Sequence, residues 1–280
     1  MADAMQHSTE AWDRAAAGWD RNSALIRAWL AEATEAMLDA ARIGPGMRVL
    51  DVAAGAGDQT IDITRRVGPT GAVLATDVAP AMVALADANL RRAALPWART
   101  QIADAEALDM DGASFNAAIC RLGLMFCQRP LVALRGILRA IAPGGRFTAL
   151  VFSHAEANPC ITITSRIARR YAGQPVDQPP PPGSLLSLGK PGLMAELLAE
   201  AGFRDVTVQP LAVPFCVPSS ADYLDFVRSA GSPILNLLRL LPPDDQRRAW
   251  DEMALELAQF TKAGGWEGPN ELLLCVGARQ

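Results

Sequence analysis

The stretch Val49-Leu50-Asp51-Val52-Ala53-Ala54-Gly55-Ala56-Gly57-Asp58 decides the fold. It starts as an apolar run that ends in an acidic residue, and a loop of small residues then leads into a helical pattern. Small residues let the backbone approach a ligand, and the first turn of the helix beyond offers N–H groups without partners. Twenty residues after Gly57 a second apolar run ends at Asp77, where a carboxylate can accept hydrogen bonds from both hydroxyls of a ribose. The stretch therefore predicts a nucleoside site at the ends of two parallel strands.

Apolar runs and helical patterns alternate on either side of this stretch. Such alternation, with strands that read as buried, is typical of a parallel sheet covered by helices on both faces. We predict strands at 48–53, 72–77, 100–103, 115–120, 146–152, 205–211 and 271–278. We predict helices at 8–43, 59–67, 80–94, 131–141, 191–201, 220–241 with an interruption at 231–233, and 244–262. The rhythm breaks between 153 and 189, where four prolines at 179–182 predict an exposed loop.

Composition narrows the class of protein. The chain has 280 residues, half of them hydrophobic, and a formal net charge of −4, which is too apolar for disorder and too acidic to favour nucleic acid as a partner. No run approaches the roughly 18 apolar residues of a membrane span, and the first ten residues lack the pattern of a secretion signal. Five widely spaced cysteines without a Cys-x-x-Cys pair argue against a disulfide framework or a zinc site. We expect a cytoplasmic protein with no bound metal.

The ligand class follows from what the loop lacks. A nicotinamide-binding loop would have a third glycine or alanine where this chain has Thr60, and a phosphate-binding P-loop would have a Gly-Lys-Ser/Thr sequence. Neither is present, so the sequence favours an adenosine-type ligand without a pyrophosphate.

Five motifs, in order, resemble the class I S-adenosylmethionine-dependent methyltransferases, and in particular the branch that contains ubiquinone/menaquinone C-methyltransferases. They are the quoted stretch, Asp77, Ile102-Ala103-Asp104-Ala105-Glu106, Phe115-Asn116-Ala117-Ala118-Ile119-Cys120-Arg121 and Leu138-Arg139-Ala140-Ile141-Ala142-Pro143-Gly144-Gly145. The resemblance implies a Rossmann-like α/β fold with a seven-stranded, mostly parallel sheet, N-terminal helices and a helical cap inserted after strand five. We expect a helical cover of the active site at 1–44, an S-adenosylmethionine-binding core at 45–152, and substrate-cap helices with the completion of the sheet at 153–280.

The resemblance also implies which residues bind S-adenosylmethionine and its product S-adenosylhomocysteine. Asp77 would bind the ribose, Asp104 would accept the adenine amino group, and Arg121 would lie beside the methionine moiety and the acceptor. Ala53 departs from the family, which usually has glycine there. The full predicted set is Asp51, Ala53, Gly55, Gly57, Asp77, Val78, Met82, Asp104, Ala105, Glu106, Arg121 and Leu122.

The sequence offers fewer candidate residues for catalysis and for acceptor binding than for the cofactor. Methyl transfer from a sulfonium is an in-line displacement, so alignment and exclusion of water supply much of the rate, and a carbon or phenol acceptor would also need a base. His154, after the fifth strand, is the predicted base, with His7 as a weaker candidate. We expect the acceptor, a small apolar or aromatic molecule, to contact a set of large apolar side chains. These are Trp12, Trp19, Met125 and Phe126.

Other functions stay open at this point. A nicotinamide-dependent oxidoreductase would use a similar sheet, although no Tyr-x-x-x-Lys pair is present. A catalytically silent S-adenosylmethionine-binding protein would have the same cofactor residues, and an arsenic methyltransferase would need its cysteines to converge. Apolar positions between Leu235 and Leu241 suit either a homodimer or cover by the helix that follows Asp244.

Overall fold

The quoted stretch forms the first strand of a seven-stranded sheet and the loop that follows it. The computed structural model describes residues 2–110, 112–176, 178–230 and 232–280, with side chains described from residue 9 onward except at 232 and 233. The strands are β1 (Arg48–Val52), β2 (Ala72–Asp77), β3 (Ala98–Ile102), β4 (Phe115–Arg121), β5 (Ile141–Phe152), β6 (Arg204–Ala212), β7 (Phe215–Val217), β8 (Thr261–Lys262), β9 (Gly265–Gly268) and β10 (Glu271–Ala278).

The order of the main sheet is β3-β2-β1-β4-β5-β10-β6. β1 pairs in parallel with β2 and β4, β2 with β3, and β4 with β5, whereas β10 runs antiparallel between β5 and β6. The chain moves from β1 outward to β3 and then returns to the other side of β1 for β4. At this reversal a crevice lies beyond the carboxyl ends of the strands, where open α/β sheets bind ligands. The predicted seven-stranded, mostly parallel sheet is confirmed.

Helices cover both faces of the sheet. They are α1 (Ala2–Arg21), α2 (Ser23–Ala40), α3 (Asp58–Val67), α4 (Pro80–Arg92), α5 (Pro130–Ala140), α6 (Pro159–Tyr171), α7 (Leu193–Ala201), α8 (Ser220–Ala230), α9 (Ser232–Leu238) and α10 (Pro243–Leu257). Right-handed crossovers place α3 and α4 on one face and α5 on the other, because the chain travels in opposite directions along the sheet. α2 packs beside α3, and α7 packs beside α5. Within the described ranges, each helix is too short or too polar to cross a lipid bilayer.

The N-terminal helical segment differs from the prediction because it is two helices rather than one. Its bend lies at Asn22, whose Nδ2 donates to the Gly18 carbonyl oxygen at 2.7 Å and to Ser229 Oγ at 2.8 Å. A glycine is needed at position 18, since a Cβ there would lie 1.8 Å from the main-chain oxygen of Ser229. The close approach of α1 to α8 therefore sets the bend.

The C-terminal addition has its own core and a small sheet that the sequence did not predict. Strands pair in the order β7-β9-β8, and the rings of Tyr223 and Trp266 stack with centroids 4.7 Å apart. The last helix ends at Leu257 rather than at 262, because the Trp266 indole N–H donates to the Leu257 carbonyl oxygen at 2.7 Å and the chain turns into the β8–β9 hairpin. The prolines at 179–182 are exposed as predicted, but α6 forms inside the segment for which no helix is predicted.

Candidate active site

A cavity of about 700 Å³ lies at the carboxyl ends of the central strands, beneath α1. Its wall contains most of the predicted site residues: Trp12, Trp19, Ala53, Gly55, Asp77, Val78, Met82, Asp104, Ala105, Glu106, Arg121, Leu122 and Phe126. It also contains residues that the sequence analysis did not single out: Leu30, Ala54, Ala56, Asp58, Gln59, Ala103, Gly123, Cys127, Gln128 and Arg129. Four predicted residues lie outside the wall, namely Asp51, Gly57, Met125 and His154.

The loop after β1 turns through three left-handed residues. The φ angles are +55° at Ala53, +57° at Gly55 and +86° at Gly57. Because an L-residue pays about 1–2 kcal/mol in this region, the alanine at position 53 occupies a backbone conformation that favours glycine. Space for its methyl group comes from Gly123, where a Cβ would lie only 2.4 Å from the Ala53 Cβ. The alanine at position 53, where the resembled family usually has glycine, is thus accommodated by a glycine at position 123, just after β4.

Asp77 fixes the position of this loop. Its Oδ2 accepts a hydrogen bond from the Gly55 N–H at 2.9 Å, and its Oδ1 accepts one from the Ala79 N–H at 3.0 Å. Burial raises the pKa of Asp77, and the backbone N–H groups partly oppose that shift. One carboxylate therefore joins the end of β2 to the loop after β1 and to the start of α4, and it still faces the cavity.

The acids that follow β3 close the same side of the cavity. Asp104 Oδ1 accepts from the Glu106 N–H at 2.8 Å. Glu106 in turn accepts from the Gln128 N–H at 2.6 Å and from Arg129 Nε at 2.9 Å, which ties the loop after β4 to the end of β3. We call Asp77, Asp104 and Glu106 the acidic wall.

Asp51 lies beneath the loop rather than in the wall. Its Oδ2 accepts from Thr60 Oγ1 at 2.6 Å and its Oδ1 accepts from Gln59 Nε2 at 3.2 Å. Complete burial raises the pKa of Asp51 to about 6, although both hydrogen bonds act in the opposite direction. Asp51 therefore ties the end of β1 to the first turn of α3.

Two further charged groups face the cavity near β1 and β4. Asp58 is the first residue of α3, and burial raises its pKa while the charges of Arg121 and Arg27 oppose that effect. Arg121, at the end of β4, donates from Nη1 to Thr34 Oγ1 of α2 at 2.9 Å. Burial lowers the pKa of Arg121, and Asp58 is the charge that most strongly opposes this. The sequence signal for Asp58 was its place directly after Gly57, in the first helical turn.

Aromatic side chains form a further part of the cavity lining, and Trp12 and Trp19 pack against the small cluster of Ala16, Ala79 and Met82. The Trp12 ring meets Phe126 edge-on with centroids 4.7 Å apart and lies 6.3 Å from Trp19. The Trp19 indole N–H donates to the carbonyl oxygen of Ala230 in α8 at 3.2 Å. Asp13 Oδ1 accepts from the Ala81 N–H at the start of α4, at 2.9 Å. We call Trp12, Trp19 and Phe126 the aromatic cover.

Two predicted residues occupy other positions. Met125 is buried with 1% exposure, so its side chain packs in the core while its neighbour Phe126 faces the cavity. The imidazole of His154 is 43% exposed, and its Nδ1 lies 2.9 Å from Glu156 Oε2 on the surface turn after β5. This position does not suit His154 as the base for a reaction in the cavity, because His154 does not line the cavity and its ring faces Glu156 and Glu271. The side chain of His7 lies outside the described residues.

Comparisons with known proteins support one family. The sequence model described as the ubiE/COQ5 methyltransferase family matches residues 25–165. The ubiquinone/menaquinone biosynthesis C-methyltransferase UbiE of Idiomarina loihiensis is 38% identical over 117 residues, which are 41% of this chain and 47% of the relative. The chain spans about half the length of the curated relatives it matches.

Solved structures show the same fold at low identity. The YcgJ protein of Bacillus subtilis superposes with a TM-score of 0.59 and 17% identity, over 89% of this chain and 98% of that one. Phosphoethanolamine N-methyltransferase 2 of Haemonchus contortus, in complex with S-adenosylmethionine, superposes with a TM-score of 0.52 and 15% identity, over 94% of this chain and 53% of that one. The architecture predicted from the five motifs is therefore found in solved proteins.

Proposed function

The chain belongs to the ubiE/COQ5 methyltransferase family, and from that premise we propose that it transfers the methyl group of S-adenosylmethionine to an oxygen or carbon atom of a small apolar or aromatic acceptor. The observation that carries the proposal is the convergence of the family motifs on one cavity. Gly55, Asp77 and Asp104 come from three strand ends, and all of them line the same wall. The 700 Å³ of the cavity is within the range of small-molecule sites.

The acidic wall suits the adenosine part of the cofactor. An ionised carboxylate has about four lone-pair sites, so Asp77 can accept from ribose hydroxyls in addition to its two backbone donors. Asp104 has one oxygen that accepts from the Glu106 N–H and a second that no described residue occupies. Val78 and Met82 follow β2 and offer apolar contacts for the adenine ring. These residues fit a donor-rich, uncharged nucleoside.

Bound S-adenosylmethionine supplies an electrophilic methyl group on a sulfonium. The residues of this chain would hold the acceptor in line with that group and exclude water. The aromatic cover and Leu30 present apolar surface to the space in front of β4, which favours a planar acceptor. The name of the Idiomarina relative refers to ubiquinone and menaquinone, and a quinol-type ring agrees with this aromatic surface.

The partner is a small molecule, and we place the reaction in the cytoplasm. The net charge of −4 argues against nucleic acid. Cys120, Cys127, Cys160, Cys216 and Cys275 are all free thiols, which agrees with a reducing compartment. Leu238 of α9 is buried in the core of the C-terminal addition, whereas Leu240 is 80% exposed. Part of this apolar stretch is thus covered within the chain and part is open to a second copy, and light scattering tests whether a homodimer forms.

The experiment that tests the proposal separates binding from turnover. Isothermal titration should show binding of S-adenosylhomocysteine, and labelled S-adenosylmethionine should transfer its methyl group to members of a phenol and quinol panel. Binding of NADH without binding of S-adenosylhomocysteine would support the oxidoreductase alternative and sink the proposal. Binding of S-adenosylhomocysteine without transfer to any member would support the catalytically silent binder.

A further inference from the structure

Among the carboxylates of the cavity, Asp58 differs from the others in its hydrogen bonds. Asp77, Asp104 and Glu106 each accept at least one backbone N–H. Asp58 is buried, with 8% of the residue exposed, and lines the cavity, yet no described residue donates a hydrogen bond to its carboxylate, and Arg27 bonds only its main-chain oxygen. A buried carboxylate with free lone pairs that faces a cavity is available to a ligand.

Arg121 is the corresponding cation. Arg121 is buried to the same extent and faces the same cavity, and its hydrogen bond to neutral Thr34 leaves other guanidinium N–H groups for a ligand. No carboxylate of the described residues forms an ion pair with it. The other cation of the wall, Arg129, already pairs with Glu106. The cavity thus presents one carboxylate with no hydrogen-bond donor among the described residues and one guanidinium with no charged partner in direct contact.

The two groups lie on other elements than the acidic wall, which lies at the ends of β2 and β3. They belong to α3 and β4, beneath α2, which contributes Thr34 to Arg121 and Leu30 to the wall. The charged groups that act on Asp58 come from each element packed against it: Asp20 of α1, Arg27 of α2, Asp62 of α3 and Arg121 of β4. The pair therefore borders the end of the cavity covered by the N-terminal helices, where we place the acceptor.

We propose that Asp58 takes a proton from an acidic hydroxyl on the ring of the acceptor and that Arg121 holds the resulting oxyanion. This inference rests on the proposed methyl transfer, and it narrows the acceptor to a ring that carries an ionisable hydroxyl. The wall has no histidine, tyrosine or lysine among its described residues. Each of the other three carboxylates accepts a backbone N–H, Asp77 and Asp104 are the groups proposed to bind the nucleoside, and Glu106 pairs with Arg129. Asp58 is therefore the base that the geometry provides.

The chemical step balances. The O–H bond breaks and its proton moves to the Asp58 carboxylate, while the electron pair stays on oxygen beside Arg121. That pair forms the new bond to the methyl carbon as the carbon–sulfur bond breaks, and sulfur leaves as neutral S-adenosylhomocysteine. At a ring carbon conjugated to the oxygen, the same ionisation supplies the electrons, and the proton lost from the methylated carbon restores the hydroxyl. The proton on Asp58 returns to solvent.

The test compares Asp58→Asn with Asp62→Asn, a matched change one turn further along α3 and outside the wall. We expect Asp58→Asn to lower kcat by about 10²-fold or more with 1,4-dihydroxynaphthalene as acceptor, and to remove the rise of kcat with pH through the raised pKa of Asp58. Affinity for S-adenosylhomocysteine should stay within about twofold in both variants, and Asp62→Asn should also keep its rate within that range.

A second measurement does not depend on turnover. In the presence of S-adenosylhomocysteine, 4-nitrophenol bound to the unmodified protein should absorb as the phenolate at a pH below its solution pKa. Arg121→Lys should keep part of this ionisation and Arg121→Gln should lose it, while thermal melting checks that both variants fold. A neutral bound phenol in the unmodified protein would overturn the inference.

The remaining outcomes are also decisive. If Asp58→Asn keeps its rate within about threefold, Asp58 is not the base. If it instead weakens S-adenosylhomocysteine by about tenfold, Asp58 binds the ammonium group of the cofactor and the inference is wrong. If the unmodified protein transfers methyl groups, either of these results for Asp58→Asn contradicts the inference about Asp58 but not the proposed methyltransferase function. If the unmodified protein neither binds S-adenosylhomocysteine nor transfers a methyl group, the proposed function itself is wrong.

Discussion

The acidic wall and the aromatic cover line one cavity but are built differently. In the acidic wall, Asp77 and Glu106 bond to backbone N–H groups 22 residues away, and every member lies inside the family match at 25–165. In the aromatic cover, Trp12 and Trp19 lie outside that match, and Trp19 bonds to Ala230, 211 residues away. The residues proposed to bind the cofactor are thus held by backbone contacts between strand ends, whereas those proposed to bind the acceptor depend on how helices distant in the sequence pack.

The largest expected effect belongs to the acidic wall. Asp77→Ala removes the acceptor for the Gly55 and Ala79 N–H groups together with the carboxylate proposed to bind the ribose. We expect its Kd for S-adenosylhomocysteine to rise by more than about tenfold, since a loss of at least 1.4 kcal/mol is typical when charged hydrogen bonds are removed. Calorimetry measures this, and Asp13→Ala, which releases α1 from Ala81, serves as a control on the cover side. An unchanged Kd in Asp77→Ala would show that the acidic wall does not bind the nucleoside.

The contrast also explains what the sequence could predict. Glycines at 55 and 57 and an acid at 77 have a local physical reason, because a tight turn and a strand end require those residue types. No local pattern predicts the side-chain directions of Met125 and Phe126. Tertiary packing sets them, since Phe126 contacts Trp12 and lines the cavity whereas Met125 does not.

Asp58 and His154 illustrate the same limit. His154 is a candidate base only because it follows the fifth strand, and the turn after β5 places it on the surface beside Glu156. An aspartate that begins a helix usually indicates nothing beyond favourable interaction with the helix dipole. The burial of Asp58 at the cavity comes from α1 and α2. The bend between these two helices at Asn22 follows from contacts with α8, which no local sequence pattern predicts.

A second prediction concerns the packing of the loop after β1 against Gly123. Gly123→Ala would place a Cβ 2.4 Å from the Ala53 Cβ, so we expect the free energy of unfolding to fall by about 1–3 kcal/mol. Gly112→Ala, whose Cβ would meet no atom within 4 Å, is the control. The double variant Ala53→Gly/Gly123→Ala should recover most of the loss, and additive effects in this cycle would contradict the proposed match between the two positions.

A third prediction separates the two sides of the cavity. Trp12→Ala removes the edge contact with Phe126 and opens the cover, so we expect KM for the acceptor to rise by about tenfold while the Kd of S-adenosylhomocysteine stays unchanged. Trp250→Ala is the matched control, because that ring lies outside the cavity beneath the Arg228 guanidinium at 4.7 Å. A fall in cofactor affinity in Trp12→Ala would mean that α1 covers both ligands.

The smallest expected effect concerns the buried acid beneath the loop. Burial raises the pKa of Asp51 from 3.8 to about 6, so the folded state binds its proton more tightly than the unfolded state does. The stability that comes from protonated Asp51 is fully present below pH 3.8 and is lost as the pH rises through 6. Between pH 5 and 6, the unfolding free energy of the unmodified protein should therefore fall by about 1 kcal/mol relative to Asp51→Asn, as measured by urea denaturation at each pH.

Thr60→Val makes this prediction sharper. The Thr60 hydroxyl donates to Asp51 at 2.6 Å and holds the pKa of Asp51 down, so its removal should raise that pKa further and extend the loss of stability to a higher pH. The same pH dependence in Thr60→Val and in the unmodified protein would show that Asp51 is not the titrating group. A shift would show that Asp51 is the titrating group and that its charged form at neutral pH lowers the stability of the folded protein.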